Sequence, residues 1–322
     1  MLYAKLGKAG VNVSKVALGT LNFGPEISES ESFQLLNFAV ENGINFIDTA
    51  NSYGWESGYG TSETIIGNWL QENLKRRDQI FLASKVCMQV GSNVNEKGLS
   101  AYHIKKACED SLRRLKTDHI DLYQMHHIDR TVPFEEIWQA MELLIKEGKI
   151  LYVGSSNFAG WHIAKAQECA LKKNLLGLVS EQSIYNLTHR EIEAEVIPAC
   201  QDYGLAVLAW SPYNRGILCG VKATNVKSNK NIERINKEQN LFQNKLEKYF
   251  ELCQKYNVSG AHTALSWLYS KPQLTTAVVG PRNISELEQV IFTLNNPITP
   301  EYLQELETLF PGVGIAPEAY AW

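Results

Sequence analysis

A (β/α)8 TIM barrel is the fold class this sequence predicts, on three observations. Short apolar or β-branched runs alternate with helical patterns along most of the 322 residues, as in repeated βαβ units on a parallel sheet. Eight such runs can be counted, near residues 15–18, 45–48, 80–85, 120–124, 151–155, 178–181, 206–210 and 276–279, which is the number that closes a barrel. No linker divides the chain, and a closed α/β barrel commonly occupies about 250 residues or more as one domain. Residues 1–322 are therefore expected to form one barrel domain, with its site on the face where the strands end at their carboxyl termini.

The helices between the strands are legible in order. Residues 31–41 place Leu35, Leu36 and Ala39 on one face, and residues 101–115 do the same with Ile104, Ala107, Cys108, Ser111 and Leu112. Pro133 and Phe134 open the next helix, where the missing proline amide is harmless, and Gly148 ends it after Lys146. Residues 221–240 are rich in Asn, Lys and Glu without an apolar period, and read as a long loop after the seventh strand. Ser285 and Glu288 have the spacing of a capping box, and the helix start they mark is able to receive anionic groups.

Composition narrows the function. With 44% hydrophobic and 20% charged residues, and 31 Lys+Arg against 35 Asp+Glu for a net charge of −4, the chain reads as an ordinary soluble globular protein with a large core. It has no basic stripe to suggest nucleic acid as a partner, and no apolar run near the roughly 18 residues of a membrane span. The start, MLYAKLGKAGVNVSKVALGT, lacks the apolar stretch of a signal peptide, so a cytoplasmic location is expected. The six cysteines (Cys87, Cys108, Cys169, Cys200, Cys219 and Cys253) form no C-x-x-C pair, and reduced, mostly buried thiols are expected. No cluster has metal-ligand spacing, so no metal is expected, and GWESGYG has the wrong glycine spacing for a Rossmann cofactor loop.

In a barrel the residues that end each strand are the candidates for chemistry. NFIDT ends at Asp48, IFLASK at Lys85 and DLYQMH at His126, while Tyr53 follows Asp48 on the same loop. One charged residue past a strand is equally well a solvated end, but three converging from three strands suit carbonyl reduction. Hydride arriving at a carbonyl carbon leaves charge on oxygen, and a tyrosine can supply the proton if its pKa of about 10 is pulled toward neutrality. Lys85 is expected to do this, with Asp48 holding Lys85 in place and charged, and His126 orienting the carbonyl or sharing the proton. His127, on the opposite side of the strand, is expected to be structural. From the residues alone, a metal-dependent hydrolase using His126, His127 and Asp129 is the alternative.

The run NGINFIDTANSYG, the strand ending in Lys85, and IDLYQMH followed by Asp129 resemble the aldo-keto reductases, whose Asp, Tyr, Lys and His tetrad maps onto Asp48, Tyr53, Lys85 and His126. The resemblance covers nearly the whole chain. GKILYVGSSNF resembles the family's fifth strand with Ser156 and Asn157, and VSEQSIYN supplies Gln182; in the family these hold the nicotinamide carboxamide. LAWSPYNRGILCG resembles the segment that stacks an aromatic on the nicotinamide and wraps the pyrophosphate, with Trp210, Ser211, Pro212, Tyr213, Gly216 and Leu218 in matching places. Gly19, Thr20 and Leu21 end the first strand beside them. Taken singly, Trp210 is equally well a core residue, Asn157 and Gln182 more often satisfy backbone carbonyls, and a strand-ending turn is the commonest use of a Gly such as Gly19 before Thr20.

VVGPRNISELEQV resembles the part of the family that grips the adenosine end, through Gly280, Arg282, Glu286 and Gln289. The chain departs from the family where Glu286 replaces a frequent Gln or Arg and Val290 replaces an Asn. Arg282 is the one cation for a ribose 2′-phosphate, so NADPH is expected over NADH, with Glu286 weakening its field. The resemblance implies an NAD(P)H-dependent oxidoreductase acting on a small-molecule aldehyde, ketone or sugar carbonyl. It is closer to the branch of potassium-channel β subunits and bacterial sugar and aldehyde reductases than to the aldose reductases. The substrate pocket is expected to be lined by Leu21, Asn22, Trp55 and the tail around Tyr320 and Trp322. The alternative within the resemblance is a regulatory subunit in which bound nicotinamide reports redox state, with weak turnover. The sequence carries no signal of oligomeric state.

Overall fold

A computed structural model of the chain describes residues 1–54, 57–222 and 229–321. It opens with an antiparallel hairpin of β1 (Tyr3–Lys5) and β2 (Asn12–Ser14). Eight strands then close a barrel in which every neighbouring pair is parallel: β3 (Val16–Gly19), β4 (Phe46–Asp48), β5 (Phe81–Val86), β6 (Ile120–Met125), β7 (Ile150–Ser156), β8 (Leu178–Ile184), β9 (Ala206–Trp210) and β10 (Leu274–Val279). Helices α1 (Glu29–Glu41), α2 (Thr61–Glu72), α3 (Ala101–Leu115), α4 (Phe134–Lys146), α5 (Gly160–Lys172) and α6 (Val196–Asp202) follow β3 to β8 in turn. Both α7 (Asn229–Tyr256) and α8 (Gly260–Tyr269) lie between β9 and β10, and α9 (Ile284–Asn295), α10 (Pro300–Leu309) and α11 (Glu318–Ala321) complete the chain. The fold is the expected (β/α)8 TIM barrel.

All eight expected strands are present, and several run further toward the mouth, as β8 does to Ile184. The hairpin was not expected, because three-residue strands leave almost no period to read. Its role is clear from packing: Leu6, Ala9 and Val13 join Ala17, Phe46, Phe81, Ala83, Leu122, Leu208 and Val278 in the interior of the barrel. The amino-terminal end is thereby plugged. With Phe46, Phe81 and Leu122 facing inward, the two-residue strand period brings Asp48, Lys85 and Gln124 to the inner face at the other end.

Local signals set the helix ends. Ser28 accepts from the Glu31 amide while the Glu31 carboxylate accepts from the Ser28 amide at 2.8 Å, which starts α1 ahead of the expected position 31. Pro133 sits at the cap of α4, and Gly148 past its end has a φ of +70°.

Three expectations need correction. From Asn229 onward the expected loop is helix, while residues 223–228 lie outside the described residues. Ile232 and Ile235 begin an apolar stripe that continues through Phe242, Leu246, Tyr249 and Cys253, so its period becomes visible only beyond residue 240. The last barrel helix is capped by Asn283, whose side chain accepts from the Glu286 amide at 2.9 Å, and Ser285 lies inside its first turn. Asn is as good a cap as Ser, and starting at Ile284 lets that residue pack on the core. The six cysteines are unpaired, but only Cys108, Cys200 and Cys253 are buried, and Cys219 is exposed. Among the described residues no helix is long and apolar enough to cross a membrane.

Candidate active site

Asp48, Lys85 and Gln124 converge because they end inward-facing positions on adjacent strands, with Asp48 paired in register to Ala83 and Lys85 to Gln124. The Lys85 ammonium donates to Asp48 Oδ2 at 2.6 Å, to the Thr49 carbonyl at 2.9 Å and to the Tyr53 hydroxyl at 3.1 Å. The other Asp48 oxygen accepts from Gln124 Nε2 at 3.0 Å and from Gln182 Nε2 at 2.9 Å. Both charges are almost wholly shielded from solvent, with side-chain exposures of 0% and 1%. Such a pair is held in one geometry.

Burial, the largest single influence, would lower the lysine pKa, but Asp48 and Tyr53 together outweigh it through charge and hydrogen bonds, and Lys85 is held above its ordinary value, hence charged. Tyr53 corrects the sequence reading. Burial raises its pKa, Lys85 pulls it down as expected, and Asp48 pushes it up again, so the phenol ends above its ordinary value rather than near neutrality. The sequence reveals the neighbouring charge but not the desolvation that exceeds it. Tyr53 therefore carries its proton across any working pH, as an acid must before it acts.

His126 lies just past β6 with its ring edge-on to Tyr53, 5.8 Å between centroids. Burial, then the Lys85 ammonium and His127, push its pKa down to about 3, so the ring is neutral. Its Nδ1 is buried without a partner among the described residues. His127 is exposed, with its Nδ1 3.0 Å from the Ile128 carbonyl oxygen. Asp129 is engaged elsewhere: its carboxylate accepts from the Leu99 amide and from the amide and hydroxyl of Thr131. The three residues of the alternative hydrolase thus do not converge, and among the described residues no group of three or more His, Cys, Asp and Glu is arranged to hold a metal.

The expected nicotinamide contacts gather around the same mouth. Ser156 donates to the Gln182 carbonyl at 2.7 Å, and Asn157 donates to Ser156 Oγ at 3.0 Å and to the His126 carbonyl at 3.1 Å. Trp210 packs on the top of the interior cluster and donates its indole N–H to Asn157 Oδ1 at 3.1 Å. Gln182 directs its amide nitrogen at Asp48 and, at 3.4 Å, at Gln124; its Oε1 accepts nothing among the described residues and suits a carboxamide N–H. At the end of β3, a side chain on Gly19 would come within 3.0 Å of Val278 and 3.1 Å of the Val279 carbonyl, Thr20 donates to the Asp48 carbonyl, and Leu21 is exposed.

In the segment after β9, expected to wrap the pyrophosphate, several amides are engaged within the turn itself. The amides of Asn214, Gly216, Ile217 and Leu218 bond within the turn, and that of Arg215 bonds to Ser211 Oγ. The groups this segment can offer an anion are the Ser211 hydroxyl proton and the exposed Arg215 guanidinium, more than a row of amides. Pro212 and Leu218 are buried, Tyr213 is half-buried against the core, and Gly216 takes a φ of +85°. At the other end of the site Gly280 accepts from Asn22 Nδ2 at 2.9 Å, which ties the first strand loop to the last. Arg282 donates from Nη2 at 2.7 Å and from Nε at 3.1 Å to one Glu286 oxygen, Oε1, while Oε2 accepts the Arg282 amide at 2.8 Å. Gln289 is exposed, and Val290 is buried in the core. These residues fit a nicotinamide dinucleotide, with amides and an indole for its ring and Ser211, Arg215 and Arg282 for its phosphates. Of the expected pocket residues, Leu21 and Tyr320 are exposed, whereas Trp55 and Trp322 lie outside the described residues.

Gln124 was missed by sequence reasoning. Its signal was an amide in an apolar strand two residues before His126, on the same face.

Comparison with known proteins supplies the family. The Aldo/keto reductase family matches residues 15–310. The chain is 45% identical over its whole length, and over the whole of the relative, to the uncharacterized oxidoreductase YrpG of Bacillus subtilis. It is 31% identical to a versiconal hemiacetal acetate reductase of Aspergillus parasiticus, over 98% of this chain and 99% of that one. It is also 30% identical to a probable voltage-gated potassium channel subunit beta of Oryza sativa, over 99% of this chain and 100% of that one. An eight-stranded barrel with Asp, Tyr, Lys and His at its mouth, matched over this length, belongs to the aldo/keto reductase family of oxidoreductases.

Proposed function

We propose that the chain, as one barrel domain, reduces an aldehyde, ketone or sugar carbonyl to an alcohol with NADPH, and that Tyr53 is the general acid. One observation carries this reading: a single buried ammonium, Lys85, lies within hydrogen-bond reach of both Asp48 and the Tyr53 hydroxyl. The cofactor, when bound, supplies the hydride. The chain's own groups handle the oxygen. Tyr53 gives its proton to the developing alkoxide, and Lys85 stabilises the phenolate left behind more than it stabilises the phenol. Asp48, bonded to Lys85, Gln124 and Gln182, holds the ammonium still. Neutral His126 offers an N–H to the same carbonyl oxygen, which orients it toward Tyr53. Trp210 and Asn157 would hold the nicotinamide, and Gln182 Oε1 would accept a hydrogen bond from its carboxamide N–H.

The likeness to a potassium channel β subunit favours a second reading, a regulatory subunit that turns over weakly. Steady-state reduction of a panel of generic aldehydes, followed by nicotinamide absorbance with NADPH and with NADH, separates the two. Sustained turnover supports the enzyme, and a single slow turnover with tight cofactor retention supports the subunit.

A further inference from the structure

Glu181 is a fully buried carboxylate that no step above uses. Its neighbour Gln182 points into the mouth, and strand alternation sends Glu181 to the other side of the wall, between sheet and helices. There Oε2 accepts from Ser155 Oγ at 2.5 Å, and Oε1 accepts from Ser183 Oγ at 2.7 Å and from the Phe158 amide at 3.1 Å. No cation pairs with it among the described residues. Burial pushes its carboxyl up to about 7, against the pull of these donors. A carboxyl placed so deep without a cation costs stability, and the Phe158 amide shows what it holds in return.

That amide belongs to the turn leaving β7, where Asn157 has a φ of +58°, a left-handed conformation that Asn adopts more readily than other non-glycine residues. Asn157 in turn joins three strands at the mouth, through the His126 carbonyl after β6, Ser156 on β7 and the Trp210 indole on β9. A chain of direct contacts therefore runs from Glu181 behind the wall to the indole and amide in front of it.

We propose that Glu181 is a positioning residue for the nicotinamide end of the cofactor site, acting through the Asn157 turn; this rests on the reading of Asn157 and Trp210 as cofactor contacts. The test measures the NADPH dissociation constant and the carbonyl KM at saturating NADPH. The variants are Glu181→Ala, Glu181→Gln, Asn157→Ala and the double variant Glu181→Ala/Asn157→Ala, each checked for folding by thermal melt. Glu181→Ala is expected to weaken NADPH about tenfold, as for loss of one charge-assisted hydrogen bond, with carbonyl KM unchanged. Glu181→Gln retains an oxygen for the Phe158 amide and should bind within about threefold of wild type. The double variant should bind no worse than Asn157→Ala alone, because both act through one turn. Wild-type binding in Glu181→Ala, or additive losses in the double variant, overturns the positioning role while leaving the Asn157 reading intact. Wild-type binding in Asn157→Ala overturns the cofactor reading, and this proposal with it. Should Glu181→Ala not fold, Glu181→Asp, which withdraws the carboxylate by one methylene, replaces it with the same expectations.

Discussion

The mouth of this barrel holds two ion pairs built in opposite ways. Lys85 and Asp48 are exposed by 0% and 1%, while Arg282 and Glu286, at the end of β10, are exposed by 58% and 35%. The inner pair is shielded from water and tied by two glutamines, a backbone carbonyl and a tyrosine. The outer pair is screened by solvent and free to rearrange, so its attraction amounts to only about 0–1 kcal/mol. The difference teaches where the chain can change. On the proposed reading, the acid chemistry sits where any substitution leaves an unmatched buried group, whereas the choice of cofactor phosphate rests on weak surface interactions.

The largest effect is expected inside. Lys85→Met removes the cation beside Tyr53 and leaves Asp48 buried without its charge partner. Turnover should fall by about 10²–10⁴-fold, and stability by about 3–5 kcal/mol, read from steady-state kinetics and denaturant unfolding. Intact turnover would break the contrast between the two pairs.

Outside, the effects should be smaller and should depend on salt. Arg282→Ala is expected to weaken NADPH about tenfold and leave NADH nearly unchanged, the low end for a charge-assisted hydrogen bond because Glu286 already engages the guanidinium. Glu286→Gln releases Arg282 and should tighten NADPH by about two- to fivefold. Both shifts should shrink as ionic strength rises. Dissociation constants for both cofactors in both variants check this, and equal changes for NADPH and NADH would show that Arg282 does not read the phosphate.

The smallest expected effect is the absence of one. His126, pushed down to about 3, is already neutral above that pH, so it binds no proton between about pH 5 and 8. The profile of kcat/KM should show no limb from it in that window. A limb near the ordinary histidine value that vanishes in His126→Gln would mean that the ring is charged in the working enzyme.

The parts of the site that could be read from sequence are those whose residue type is out of place. Asp48, Lys85 and His126 are polar groups closing apolar strands, and Tyr53 follows within the same loop. Gln124 and Glu181 were harder to see, since an amide or carboxylate inside a strand looks like the solvent-facing half of an alternating pattern. Only the closed barrel shows that both faces are covered. The β1–β2 hairpin was too short to carry a period, and α7 was hidden because its apolar stripe lies mostly beyond the polar stretch that begins it. The direction of the Tyr53 shift was out of reach for a different reason. A nearby charge can be inferred from spacing, but desolvation depends on the packing of the whole mouth.

Tyr53→Phe tests the central claim most directly, because it deletes one hydroxyl and leaves the ring that packs against His126. The measurement is single-turnover oxidation of prebound NADPH by a generic aldehyde, with the NADPH dissociation constant determined on the same protein. The account predicts nearly unchanged cofactor binding and a reduction step slowed by about 10²–10⁴-fold or more. A reduction step at the wild-type rate, with cofactor fully bound, would contradict it.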